Sequence, residues 1–128
     1  MAVAYAYPTG AALQDMSFMA SGQGYSYQDN ITALAGGGRP GATLLTKALN
    51  RVVTVGTAAD SVMLPAATGG QALTVVNAHA SNACQIFAFT GTSDTINGVA
   101  AATGISLAAG KTIELVSFPA IWHGVLSA

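Results

Sequence analysis

Apolar and polar positions follow two regimes that meet near residue 42. From residue 43 onward, short apolar runs alternate with turn signals at intervals of about ten residues, which is the signature of successive β-strands. Asn50–Val55 is β-branched and ends at Gly56, and Asp60–Leu64 is stopped by Pro65. Gln71–Asn77 sets Leu73, Val75 and Asn77 against Thr74 and Val76. Ala83–Phe89 puts Cys84, Ile86 and Ala88 on one face and Gln85, Phe87 and Phe89 on the other. Ile105–Leu107, Lys111–Phe118 and Ala120–Leu126 complete the series. Between Ile96 and Val99, Asn97-Gly98 predicts a type I′ turn, because both central positions of that turn need positive φ.

About eight short strands with no helix between them predict an all-β fold, an antiparallel β-sandwich or jelly roll. Parallel βαβ units are not expected, since the intervals leave no room for crossover helices. Residues 1–42 read differently. They are rich in Ala, Gly, Tyr and Met, with Tyr5/Tyr7 and Tyr25/Tyr27 at strand spacing and Leu13, Met16 and Met19 at helical spacing within a short stretch. Gly36-Gly37-Gly38-Arg39-Pro40-Gly41 reads as a flexible joint. The expectation is therefore an N-terminal docking arm, 1–42, with a Gly-rich hinge, followed by a β-sandwich body, 43–128. The alternative is an extra strand or two folded back on the same domain.

Composition sharpens this picture. Charged residues make up 7% of the chain and apolar residues 52%, whereas soluble domains average about 25% charged. The four cations, Arg39, Lys47, Arg51 and Lys111, are dispersed, so no nucleic-acid footprint is expected. No apolar run reaches the roughly 18 residues of a membrane span, and the N-terminus lacks the basic region of a signal peptide. A surface so poor in charge is a liability for a free monomer. The simplest expectation is that other protein covers much of it. A homo-oligomer, dimer or trimer, fits that expectation.

Candidate chemistry is sparse. His79 falls in a loop and His123 in the last strand, and no Gly-x-Ser-x-Gly elbow accompanies them. Asp60, Asp94 and Glu114 stand singly, and Cys84 has no Cys-x-x-Cys partner. Gly22-Gln23-Gly24 and Gly36–Gly38 lack the residues of a phosphate-binding loop. No catalytic, cofactor or metal residues are therefore assigned, and a small hydrolase is disfavoured. Trp122 and the Phe87/Phe89 pair are expected to pack in the core, with a carbohydrate platform as the second reading. Aromatic and Met side chains are enriched at protein interfaces. Tyr5, Tyr7, Met16, Phe18, Tyr25 and Tyr27, together with Arg39, are the candidate partner-contact residues.

One stretch carries a resemblance. Residues 60–125 contain a Leu64-Pro65 step, a Gly turn into a strand ending at Asn77, and an apolar strand reaching Thr90-Gly91. Asp94-Thr95-Ile96-Asn97-Gly98, the Leu107–Lys111 hairpin and a final strand with Trp122 follow. This run resembles a β module of tailed-phage virion proteins, found in head decoration (cement) proteins and in fibre proteins. The resemblance implies a non-enzymatic virion subunit with a jelly-roll or related sandwich fold. With one β body and no repetitive shaft, the decoration role is favoured: a protein on the outer capsid surface, bound to the major capsid protein. A receptor- or carbohydrate-binding module of a fibre or spike is the alternative, using loops 78–82 or 91–94.

Overall fold

A computed structural model describes residues 25–128 of the chain. Ten strands and no helix occur among them: β1 (Tyr27–Thr32), β2 (Thr43–Leu44), β3 (Leu49–Thr54), β4 (Ser61–Met63), β5 (Ala72–Asn77), β6 (Cys84–Phe87), β7 (Thr95–Ile96), β8 (Ile105–Leu107), β9 (Thr112–Phe118) and β10 (Ile121–Leu126). They form a six-stranded sheet, β1-β3-β5-β9-β10-β7, and a four-stranded sheet, β2-β4-β6-β8.

The chain alternates between the sheets as it advances. Each odd strand from β1 to β5 joins the large sheet, and each even strand from β2 to β6 joins the small one. Successive strands within a sheet run parallel, β1 to β3 to β5 and β2 to β4 to β6. The result is a solenoid-like coil, in which Tyr27, Leu49 and Thr74 stand side by side on consecutive rungs. The coil is closed by antiparallel strands: β8 on β6, β9 on β5 and β10 on β9.

The all-β, two-sheet expectation holds, but the fully antiparallel pairing does not. Five ladders are parallel and three antiparallel. Parallel neighbours need a crossover of a dozen or more residues, usually a helix. Here the crossover is a strand of the opposite sheet with its two turns, as in residues 55–71 between β3 and β5.

One core is shared by both sheets. Val52, Val75, Ile113 and Trp122 come from the large sheet, and Val62, Ile86 and Leu107 from the small one. Burying one such side chain contributes about 1.5–3 kcal/mol. Trp122 is fully buried, and its Nε1 donates to the Pro65 carbonyl at 3.1 Å, satisfying its one polar atom. The Asn97-Gly98 turn forms as its sequence predicts. Both residues have positive φ (54° and 76°), and Val99 N–H donates to Ile96 O at 2.9 Å.

The described part of the expected arm belongs to the body. Tyr27–Thr32 is a strand of the large sheet, with Ile31 in the core. The glycine-rich stretch is held, not a loose joint. Asp60 Oδ1 accepts from Gly36 N–H at 3.1 Å, and Ser61 Oγ donates to Gly38 O at 2.7 Å. Gly37 lies so close to the chain that a Cβ there would stand 1.8 Å from Ala59 O. These glycines permit left-handed backbone and close approach, a different use of Gly from flexibility. The short helix expected within 11–20 lies outside the described residues.

Candidate protein-docking face

Along β9 the side chains alternate strictly. Ile113, Leu115 and Ser117 are buried, while Glu114, Val116 and Phe118 point outward. Register carries that outward set across the large sheet. Tyr27, Leu49, Thr74, Glu114 and Val125 form one row. Ala72, Val116 and His123 form the next. The exposed apolar residues of these rows include Val125 (75% exposed), Tyr27 (70%) and Val116 (48%), and Phe118, opposite Ile121 in the following register, is 57% exposed. Trp122 at 0% shows what the opposite face of the same strand does.

Charge on this face is nearly self-cancelling. Arg51 Nε and NH2 donate to both carboxylate oxygens of Asp29 at 2.7 and 2.8 Å. That hydrogen-bonded pair, with the Asn30 amide, holds the Asp29 carboxyl down at about 2. In the rows described above, Glu114 is the acidic side chain and His123 the imidazole. The His123 ring meets Phe118 edge-on, with centroids 5.8 Å apart. Two shallow grooves of about 310 Å³ flank Leu49 and Thr74. One is bordered by Tyr25 and Val116, the other by Tyr27 and Val76.

Of the residues proposed from sequence for partner contact, Tyr25 and Tyr27 border these grooves. Arg39 serves elsewhere: its guanidinium donates to the carbonyls of Ala88 (3.1 Å), Phe89 and Thr92 (2.9 Å), clamping the β6–β7 loop. Tyr5, Tyr7, Met16 and Phe18 lie outside the described residues. Leu49, Val116, Phe118 and Val125 were not among the sequence candidates. The available signal was the outward set of Lys111–Phe118, in which Val116 and Phe118 stand where polar residues usually alternate with the core.

The groups with chemical potential are tied into the fold. His79 Nδ1 accepts from the amides of Ser81 (3.2 Å) and Asn82 (3.0 Å). Asp94 Oδ2 accepts from Ala67 N–H at 2.7 Å. Asp60 accepts from Thr57 Oγ1 (2.9 Å) and Gly56 N–H (2.7 Å), and this hydrogen bonding draws its carboxyl below the usual carboxylate value. Cys84 is buried, which pushes its thiol up to about 12. Trp122 and Phe87 are buried and present no ring face to a sugar. Among the described residues no three His, Cys, Asp or Glu groups gather as a metal site. No family model, curated protein or solved structure matches this chain.

Proposed function

We propose that this chain is a non-catalytic virion subunit that decorates the outer surface of a tailed-phage head and braces contacts between major capsid proteins. The observation that carries the reading is the outward face of the large sheet. It exposes Tyr27, Leu49, Val116, Phe118 and Val125, in a chain only 7% charged. Exposed apolar patches of this kind mark protein-interaction surfaces. The likeness of residues 60–125 to virion modules supports the choice of partner.

The mechanism is burial. Tyr27, Leu49, Val116 and Phe118 would lose water contact against the capsid, each contributing only the still-exposed share of the about 1.5–3 kcal/mol that burying a whole side chain gives. Association costs offset much of that sum, so affinity rests on how well the face fits. A protein that binds only the assembled shell stabilises it by mass action. Self-association into a dimer or trimer would multiply the contacts through effective concentration.

The test is co-sedimentation with heads purified without this chain. The wild-type protein is expected to pellet with them. Val116→Lys combined with Phe118→Lys, two exposed changes that spare the core, is expected to lower affinity at least about tenfold. Undiminished binding by the folded double variant overturns the assigned face. Binding to a host glycan in place of heads would move the assignment to a fibre or spike module.

A further inference from the structure

Four exposed side chains form a rectangle on the outer face of the large sheet. Glu114 and Val116 stand two residues apart on β9, and Val125 and His123 stand opposite them on β10. One diagonal joins the two valines, and the other joins Glu114 to His123. Among the described residues, the Glu114 carboxylate has no hydrogen-bond or ion-pair partner. The His123 ring has an edge contact with Phe118 and no hydrogen bond.

A knob and a hollow lie on the same face. Phe118, 57% exposed, stands beyond Val116 along β9. Opposite Val116 on β5 stands the small, exposed Ala72. A groove of about 310 Å³ opens there, bordered by Tyr25, Leu49, Ala72, Thr74 and Glu114.

A two-fold axis brings these features together. Laid in the plane of contact along the Val116–Val125 diagonal, it turns a second copy face down onto the first. Residues on the axis meet their own copies, so Val116 packs on Val116 and Val125 on Val125. Residues beside the axis exchange, so each Glu114 faces His123 of the partner subunit. The same rotation carries each Phe118 across the axis to the β5 side, over Ala72 of the partner subunit. The strands of the two sheets then cross steeply, one of the two favoured ways for sheets to pack. A symmetric dimer needs this kind of self-complementary patch.

We propose that the β9–β10 half of this face is where two copies of the free chain associate. An imidazole N–H donates to a carboxylate in either charge state of the ring. Each copy supplies both the donor and the acceptor, and both the knob and the hollow, which singles out a second copy as the occupant. Covering these side chains also relieves a surface poor in charge. On a shell, the capsid takes the second copy's place against Val116 and Phe118, and any self-association there uses other surfaces. That exchange rests on the proposed function, whereas the dimer itself does not.

The experiment is sedimentation equilibrium of the full-length chain without heads. The wild type is expected to be a dimer at micromolar concentration. Glu114→Lys alone, or His123→Glu alone, is expected to weaken it at least about tenfold. The two together remake the pair with its charges exchanged and are expected to restore affinity to within about threefold. Ala72→Trp, which fills the groove, is expected to weaken the dimer as well. A monomer overturns the inference, as it would if another part of the chain covers the face. So does a dimer that neither single change weakens, or that the double change fails to restore. Head binding is read separately. A monomer that pellets with heads keeps the decoration role, and a dimer that does not pellet loses that role while keeping this contact.

Discussion

Asn77 ties the two sheets together through Leu107. From the end of β5 its Nδ2 donates to the Leu107 carbonyl of β8 at 3.0 Å and to Asn82 O at 2.8 Å. Its Oδ1 accepts from His79 N–H at 3.1 Å. The side chain is fully buried; its bonds to His79 and Asn82 hold the turn between β5 and β6, and its bond to Leu107 joins that turn to β8. Asn77→Leu keeps the branched shape but strands these partners. Leaving buried polar groups unpaired costs about 1–3 kcal/mol. Urea unfolding should show that loss as a lower midpoint, and an unchanged midpoint contradicts the role.

Asp60 makes stability depend on acid. Its carboxyl sits below the usual value of 3.8, chiefly through the Thr57 hydroxyl, with the Gly56 and Gly36 amides adding to it. A lowered folded-state value means that the contribution is complete above the unfolded pKa and lost as pH falls through the folded one. Stability should therefore drop below about pH 4. Asp29 titrates in the same sense, from about 2, so the comparison belongs in an Asp29→Asn background. There, Asp60→Asn should lower stability at neutral pH and flatten its fall in acid. An acid profile parallel to that of the background protein argues against this role for Asp60.

Cys84 reports global opening. Burial, then the nearby Asp60 charge, pushes its thiol up to about 12. The thiolate is the reactive form. Alkylation by iodoacetamide at pH 8 should be at least about a hundredfold slower in buffer than in urea, following transient unfolding. Rapid labelling of the native protein would show the small sheet to be open.

Much of the fold is written locally, and its pairing is not. β3 to β6 and β8 to β10 are bounded by Gly, Pro and Asn turns and filled with β-branched or aromatic residues, so each is legible alone. β1 (YQDNIT) is mostly polar, and β2 is two residues long. Both owe their strand conformation to neighbours distant in sequence. Parallel against antiparallel direction is likewise hidden, because alternation reports which side chains face inward and says nothing of the partner strand. The glycines at 36–38 showed freedom in sequence, whereas the structure uses it for close approach to Ala59. Tyr25 and Tyr27 stood out in sequence as candidates, and the structure places them beside the two grooves. Val116 and Phe118 joined the candidate face only when register set Val116 beside Ala72 and His123, with Phe118 edge-on to the His123 ring.

The most direct measurement is the copy number of this chain relative to the major capsid protein, by quantitative mass spectrometry of purified particles. A lattice-covering decoration subunit gives a ratio that is a sizeable fraction of one. A handful of copies per particle, or none, contradicts the account.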